Sequence, residues 1–166
     1  MSSISRYTDF DTFCTLVQAI GFLPVNFRLM SGDELTFTVN TLAGDGIKWH
    51  SGDPEHDPWQ WRIRVLQERD NIAYAKLFDR KTGYISRKWY PVFLSARRSG
   101  FSFNEAYASG ILSHTAKKVY ELIEQYGALA VHDIRSLGNF PGKEKSKLER
   151  ALIELQMRMF ITVCGE

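Results

Sequence analysis

The feature that most constrains the fold is a basic, amphipathic stretch near the end of the chain, PGKEKSKLERALIELQMRMFITVC at 141–164. Basic side chains occupy its first half, at Lys143, Lys145, Lys147 and Arg150, and apolar residues recur at helical spacing behind them. The final FITVC favours a strand. A helix with a basic leading end that runs directly into a strand is typical of the recognition helix and wing of a winged-helix module.

Three predicted elements before this stretch complete the order of such a module. Apolar spacing predicts a helix over 113–126, an extended piece over 128–131 and a short helix over 132–137. Helix, short strand, short helix, turn, long helix and strand is winged-helix order, a relative of the helix-turn-helix. The given sequence stops at Glu166, directly after the predicted strand. We therefore expect an incomplete wing, whose strand lacks a return strand or pairs with 128–131.

The last helix of a winged-helix module enters the major groove of duplex DNA. We expect Ser146, Lys147, Arg150 and Glu154 on its outward face, and further lysines at its N-terminal end, where the helix dipole favours phosphate. A second basic segment, RKWYPVFLSARR at 87–98, has aromatic residues between its basic ones. This pattern suits binding of single-stranded nucleic acid by base stacking and charge, and it equally suits an amphipathic surface helix. The predicted nucleic-acid-binding residues are Lys143, Lys145, Ser146, Lys147, Arg150, Arg97 and Arg98.

The N-terminal part is predicted to hold two helices and a β-hairpin. Apolar spacing predicts helices over 8–20 and 58–68, and β-compatible runs around DRKTG predict a hairpin over 72–86, with its turn at the glycine. The stretch 22–47 is ambiguous, because LTFTV at 35–39 alternates like a strand while PVNFRLMSGDEL suits a loop with one helical turn.

Together these elements predict an α+β, mainly helical fold in two parts. A break at Ser99–Gly100 and a short helical piece at 103–109 place the boundary after residue 109. Residues 1–109 then form an N-terminal helical region with the hairpin, and residues 110–166 form the winged-helix-like module packed on it.

The loop WHSGDPEHDP at 49–58 concentrates imidazole and carboxylate groups, which together suit a Zn²⁺ or Mn²⁺ site or acid/base chemistry. The metal candidates are His50, Asp53, His56 and Asp57. A structural interpretation is favoured, in which Asp57 is the N-cap of a helix whose first residue is Pro58. The two histidines also lack the spacing of a zinc-binding helix. We therefore predict no metal site and no cofactor.

The net charge of +2 is unevenly distributed along the chain. Residues 1–57 carry 3 basic and 8 acidic side chains, and residues 58–166 carry 18 and 11, so a polyanion is expected to meet the rear part. No apolar run of about 18 residues and no signal peptide are visible, so we expect no membrane partner. The two cysteines, Cys14 and Cys164, are then expected to be reduced thiols of a cytoplasmic protein.

Several of these stretches resemble a known family. YELIEQYGALAVHDIRSLG and KLERALIELQMRMFITVCG resemble winged-helix proteins grouped around AlkZ-type DNA glycosylases, and WHSGDPEHDPWQWRIRVL, IAYAKLF and GYISRKWYPVFLSARR resemble AlkZ-related proteins. The resemblance covers about residues 46–165 and implies a DNA-facing winged-helix fold, a remnant or regulator of a repair scaffold. The glycosylases carry a catalytic Gln-x-Gln or Gln-x-Asp, whereas no glutamine of this sequence has Gln or Asp two residues later. No catalytic residue is carried over.

Three functions stay open at this point. The first is a non-enzymatic winged-helix protein that binds duplex DNA, linked to DNA repair or regulation. The second is a glycosylase-like repair enzyme that uses the 50–57 loop as its polar site. The third is a protein-interaction module without nucleic-acid binding, which includes a homodimer formed through the exposed edge of the C-terminal strand.

Overall fold

The computed structural model describes residues 5–26 and 37–165. The chain is α+β, as predicted, and forms two compact units, unit 1 up to Pro91 and unit 2 from Val92 to Cys164. The predicted division after residue 109 into two domains stays a prediction. In the described residues the helices are α1 (Phe10–Ile20), α2 (Pro58–Glu68), α3 (Tyr90–Arg98), α4 (Phe103–Ala108), α5 (His114–Tyr126), α6 (Val131–Leu137) and α7 (Lys145–Met157), and the strands are β1 (Phe22–Pro24), β2 (Ile72–Phe78) and β3 (Lys81–Ser86).

The first helix of unit 1 begins and ends at clear signals. The Thr12 backbone N–H donates to the Asp9 carboxylate at 2.8 Å, and the Thr12 hydroxyl in turn caps the Asp9 backbone, so α1 starts with a capping box. Gly21 ends the helix at φ 99°, a conformation in which glycine avoids the steric cost of a Cβ. The helix predicted over 8–20 therefore begins two residues later than expected, because Asp9 is its cap.

The sheet of unit 1 is antiparallel with strand order β1-β3-β2. The hairpin predicted over 72–86 is confirmed, but its turn is made by Asp79 and Arg80, whose φ values are 43° and 66°. Gly83 was predicted in the turn and instead lies in β3, opposite Pro24 and Ala75. A Cβ at Gly83 would lie 2.8 Å from the Pro24 Cα, so close strand approach requires the glycine.

The ambiguous stretch after α1 supplies a strand that the sequence analysis did not identify. Its first residues, Phe22–Pro24, form β1 and pair with β3. Of the strand predicted at 35–39, residues 35 and 36 lie outside the described residues, as does most of PVNFRLMSGDEL. Residues 37–39 form a bend and turn, with the Val39 N–H donating to the Pro24 carbonyl at 2.9 Å.

Aromatic rings dominate the core of unit 1. Trp61 is fully buried, 4.9 Å from the Phe13 ring centroid and 5.5 Å from that of Tyr7. The Tyr7 hydroxyl donates to the Val39 carbonyl at 2.6 Å. Trp59, in the same helix, is 42% exposed, because α2 turns Trp61 and Val65 toward the core instead.

Unit 2 is built from helices around a second core. Helices α5, α6 and α7 follow each other in the predicted order, and α5 packs on α7. A 3-10 turn at Gly142–Glu144 leads into α7. The buried side chains of this core include Ala116, Val119, Ile134, Leu148, Ala151 and Leu155.

The predicted strand at 160–164 is wrong, and so is its pairing with 128–131, although Ala130 in that piece is extended. Residues 158–161 form a turn and bend, residues 162–165 are irregular, and no residue described in unit 2 belongs to a strand. Apolar packing explains the difference, because the Phe160 ring packs edge-on against Phe103 at 5.4 Å instead of lining a sheet. The predicted homodimer was to form by pairing of this strand, and the described residues of unit 2 contain no such strand.

Two further expectations concern membrane insertion and the state of the cysteines. Within the described part of the chain, no helix is long and apolar enough to cross a membrane. Both cysteines are free thiols, with Cys14 buried and Cys164 exposed. Burial raises the pKa of the Cys14 thiol to about 11, which leaves it protonated and unreactive near neutral pH.

Candidate nucleic-acid interface

The start of α7 carries most of the predicted site. Leu148, Ala151 and Leu155 are buried at helical spacing, so the opposite face of α7 points to solvent. The exposed residues on this face and in the turn before it include Lys143, Lys145, Ser146, Lys147 and Arg150, together with the acidic Glu149. The structure therefore brings five of the seven predicted nucleic-acid-binding residues together.

Acidic neighbours accompany these cations along the helix. The Lys147 ammonium lies 3.0 Å from the Glu144 carboxylate, and that of Lys145 lies 3.9 Å from Glu149. The Arg150 Nε donates to the Ser146 carbonyl at 3.1 Å, which leaves its terminal nitrogens directed away from that bond. Exposed pairs of this kind contribute roughly 0–1 kcal/mol, so a polyanion can compete for these side chains.

Glu154 does not belong to the outward face on which it was predicted. Its carboxylate accepts from the Ser113 backbone N–H at 2.9 Å and from the Ser113 hydroxyl at 2.7 Å. Ser113 is the N-cap of α5, so Glu154 joins α7 to the beginning of α5. Its negative charge is thereby engaged at the beginning of α5.

Two cations that the sequence analysis missed flank the turn before α7. The Arg135 Nε donates to the Phe140 carbonyl at 3.4 Å, and the Lys118 ammonium lies 4.9 Å from the Phe140 ring centroid. A Cβ at Gly142 would lie 3.5 Å from an Arg135 terminal nitrogen, so Arg135 reaches the turn itself. These residues come from α6 and α5, and only the packing of the three helices brings them to the turn at Phe140 and Gly142. We call Lys118, Arg135, Lys143, Lys145, Lys147 and Arg150 the basic cluster.

Arg97 and Arg98 lie elsewhere in unit 2. An Arg98 terminal nitrogen donates to the Met159 carbonyl, and its guanidinium carbon lies 4.6 Å from the Phe160 ring centroid. Met159 follows the end of α7, which at 1.5 Å per residue is about 20 Å from Lys145. The seven predicted residues therefore form two groups near opposite ends of α7.

The 50–57 loop is a helix cap in the structure. The buried Asp57 carboxylate accepts from the backbone N–H groups of His50 at 2.9 Å, Gly52 at 3.0 Å and Trp59 at 2.9 Å. Burial alone would raise the pKa of Asp57, but these donors outweigh it, and the pKa lies below its usual value. The predicted N-cap role of Asp57 is confirmed.

The other candidates of this loop do not gather around a metal position. His56 pairs with Asp53 at 2.8 Å between Nδ1 and Oδ2, while His50 packs against the Trp59 ring at 4.7 Å. Over residues 5–26 and 37–165, no group of three or more His, Cys, Asp or Glu side chains could hold a metal ion.

Fold and site define an α+β protein whose helical unit 2 presents a basic cluster at the start of its last helix. The chain belongs to the AlkZ-related family, because the family model described as "AlkZ related" matches residues 7–166. No curated protein and no solved structure matches the chain.

Proposed function

We propose that this protein binds duplex DNA without catalysing a reaction, and that it acts in DNA repair or its regulation. The observation that carries the proposal is the basic cluster, which three helices of unit 2 contribute around one turn. Exposed Lys and Arg side chains of this kind contact phosphates and release counterions, which is the main source of affinity for DNA. Membership of the AlkZ-related family supports the link to repair.

The order of α5, α6 and α7 supports a helix-turn-helix type of docking. The turn between Leu137 and Lys145 separates the short helix from the long one, and the long helix begins inside the basic cluster. In this arrangement the N-terminal end of the last helix approaches the major groove, where its side chains can reach base edges. Ser146 and Arg150, on the exposed face, are the side chains proposed to face the bases.

Two features favour binding over catalysis. The sequence lacks the Gln-x-Gln or Gln-x-Asp pair of the related glycosylases. In the loop proposed as an alternative catalytic site, both oxygens of Asp57 already accept backbone hydrogen bonds. Such a saturated carboxylate is a poor general base, because taking a proton would weaken those bonds.

Fluorescence anisotropy with a labelled duplex at low salt tests the binding. We expect Lys143→Gln combined with Arg150→Gln to weaken binding by roughly tenfold or more, because two phosphate-binding cations are lost. The matched control is Lys48→Gln, an exposed lysine of unit 1 outside the basic cluster. Absence of binding by the unmodified protein, or equal loss in the control, would contradict the proposal.

A separate assay addresses catalysis. The purified protein is incubated with alkylated and with cross-linked duplexes. Base release is detected as strand cleavage after alkaline treatment. Non-enzymatic binding predicts no release above buffer. Release that disappears in Asp57→Asn, while circular dichroism shows a folded protein, would instead establish the enzyme and assign the loop to it.

A further inference from the structure

A small cleft with a volume of about 50 Å³ lies in unit 2 near the end of α7. Its lining includes Arg97 and Arg98 from the end of α3, Arg158 from the residue after α7, and the rings of Phe101 and Phe160. Since roughly 10–15 Å³ of such space holds one water molecule, the cleft has room for a few waters or one tetrahedral anion.

The charge of this lining is one-sided. Three guanidinium groups line the cleft, and none of the residues described there is acidic. The end of α7 carries a partial negative charge, which one cation can satisfy. Arg98 serves that purpose through one terminal nitrogen, which donates to the Met159 carbonyl. Arg158 has no carboxylate in this lining to balance its charge.

Two hydrogen-bond donors of this lining remain unused. The Arg98 Nε is buried and has no hydrogen-bond acceptor among the described residues. The guanidinium of Arg158 makes no hydrogen bond or ion pair in the same part of the chain. Buried polar atoms are almost always paired in native proteins, so an unpaired, positively charged donor beside a cleft indicates an acceptor that comes from outside the chain.

We infer that this cleft binds a phosphate group, held by Arg98 and Arg158 with the face of Phe101 beside it. Arginine is suited to the task because its planar fork places parallel N–H donors opposite two oxygens of a tetrahedral oxyanion. Phe101 is 37% exposed at the cleft, so it can also cover an organic group attached to the phosphate. The inference does not rest on DNA binding by the basic cluster, about 20 Å away along α7.

Isothermal titration calorimetry of the full chain with inorganic phosphate, at constant ionic strength set with chloride, tests this site. We expect saturable binding, weakened about tenfold or more in Arg158→Gln, because a charge-assisted bidentate contact is lost. Arg87→Gln, an exposed arginine of unit 1, is the matched control and should bind as the unmodified protein does. Thermal unfolding by circular dichroism shows whether each variant is folded.

A second titration distinguishes the sources of the phosphate. Short oligonucleotides with a 5′-phosphate or a 5′-hydroxyl are compared in the unmodified protein and in Arg158→Gln. If the substitution removes only the preference for the 5′-phosphate, the cleft takes a strand end; if it affects inorganic phosphate alone, the cleft takes a free phosphate. Absence of saturable phosphate binding, or the same affinity in the folded Arg158→Gln and unmodified proteins, would overturn the inference.

Discussion

At Asp57, three backbone N–H groups converge on one buried carboxylate. The loop residues His50 and Gly52 supply two of them, and both lie at positive φ, 60° and 79°. A non-glycine residue in the left-handed region carries a steric cost, which the hydrogen bond from His50 to Asp57 offsets. One carboxylate therefore fixes the shape of the loop and starts α2.

Replacing Asp57 tests this structural role. We expect Asp57→Ala to lower the free energy of unfolding by about 2–3 kcal/mol, because a helix cap is lost and buried N–H groups lose their acceptor. Chemical denaturation measures the difference. Asp45→Ala, an exposed aspartate of the same unit, should change stability by less than about 0.5 kcal/mol. An unchanged denaturation midpoint in Asp57→Ala would contradict the cap.

The same carboxylate predicts how stability responds to pH. The folded-state pKa of Asp57 lies below its ordinary value, whereas the unfolded value is about 3.9. Its contribution is therefore fully present above about pH 4 and is lost as the pH falls through the folded pKa. The stability difference between the unmodified protein and Asp57→Asn should shrink from pH 6 toward pH 3. A difference that stays constant over this range would contradict the lowered pKa.

Among the elements, α7 has three separate connections. Its buried face packs on α5, its start enters the basic cluster, and the Met159 carbonyl, just after its end, accepts from Arg98. Glu154 adds a polar link to the N-cap of α5. A helix held in this way at several points presents its exposed face in a fixed orientation, which a binding surface requires.

Removing the link between α7 and α5 should have a local effect. We expect Glu154→Ala to destabilise the protein by about 1 kcal/mol, because two hydrogen bonds to a charged but solvent-accessible acceptor are lost. Hydrogen exchange should show faster exchange at the first amides of α5. Glu124→Ala, which removes an exposed glutamate from α5 itself, is the control and should leave those amides unchanged. Equal exchange in the two variants would contradict the link.

For the whole molecule, charge is distributed differently by unit than by sequence position. Residues 1–57 are net −5 and residues 58–166 net +7, but residues 1–91 carry 11 basic and 11 acidic side chains and residues 92–166 carry 10 and 8. Neither unit is strongly charged. The proposed affinity for DNA would therefore depend on local clusters rather than on the field of the whole protein.

A local contact of this kind predicts a moderate dependence on salt. If about four cations of the basic cluster meet phosphates, log affinity should fall with log salt at a slope of about −3.6, which is a loss of about 150-fold between 50 and 200 mM salt. Lys143→Gln should reduce the slope by about one. Anisotropy titrations at several salt concentrations measure both. A slope that does not change in Lys143→Gln would remove that residue from the interface.

Local sequence patterns are enough to predict the helices, the hairpin and the cap at Asp57. These features depend on local rules: apolar spacing for α1, α5 and α7, and an aspartate before a proline for the start of α2. Five nucleic-acid-binding candidates could be placed together for the same reason, since all lie on one helix or in the turn before it.

The conformation of residues 160–164 and the membership of the basic cluster depend on long-range packing. FITVC has the composition of a strand, but a strand needs a neighbouring strand to pair with. The Phe160 ring instead packs edge-on against the rings of Phe103 and Tyr120. Arg98 was predicted to bind nucleic acid, yet in the folded protein it donates to the Met159 carbonyl just after α7. Arg135 and Lys118 belong to other helices and join the basic cluster only through packing. Contacts between residues far apart in sequence depend on how helices pack, which no local pattern encodes.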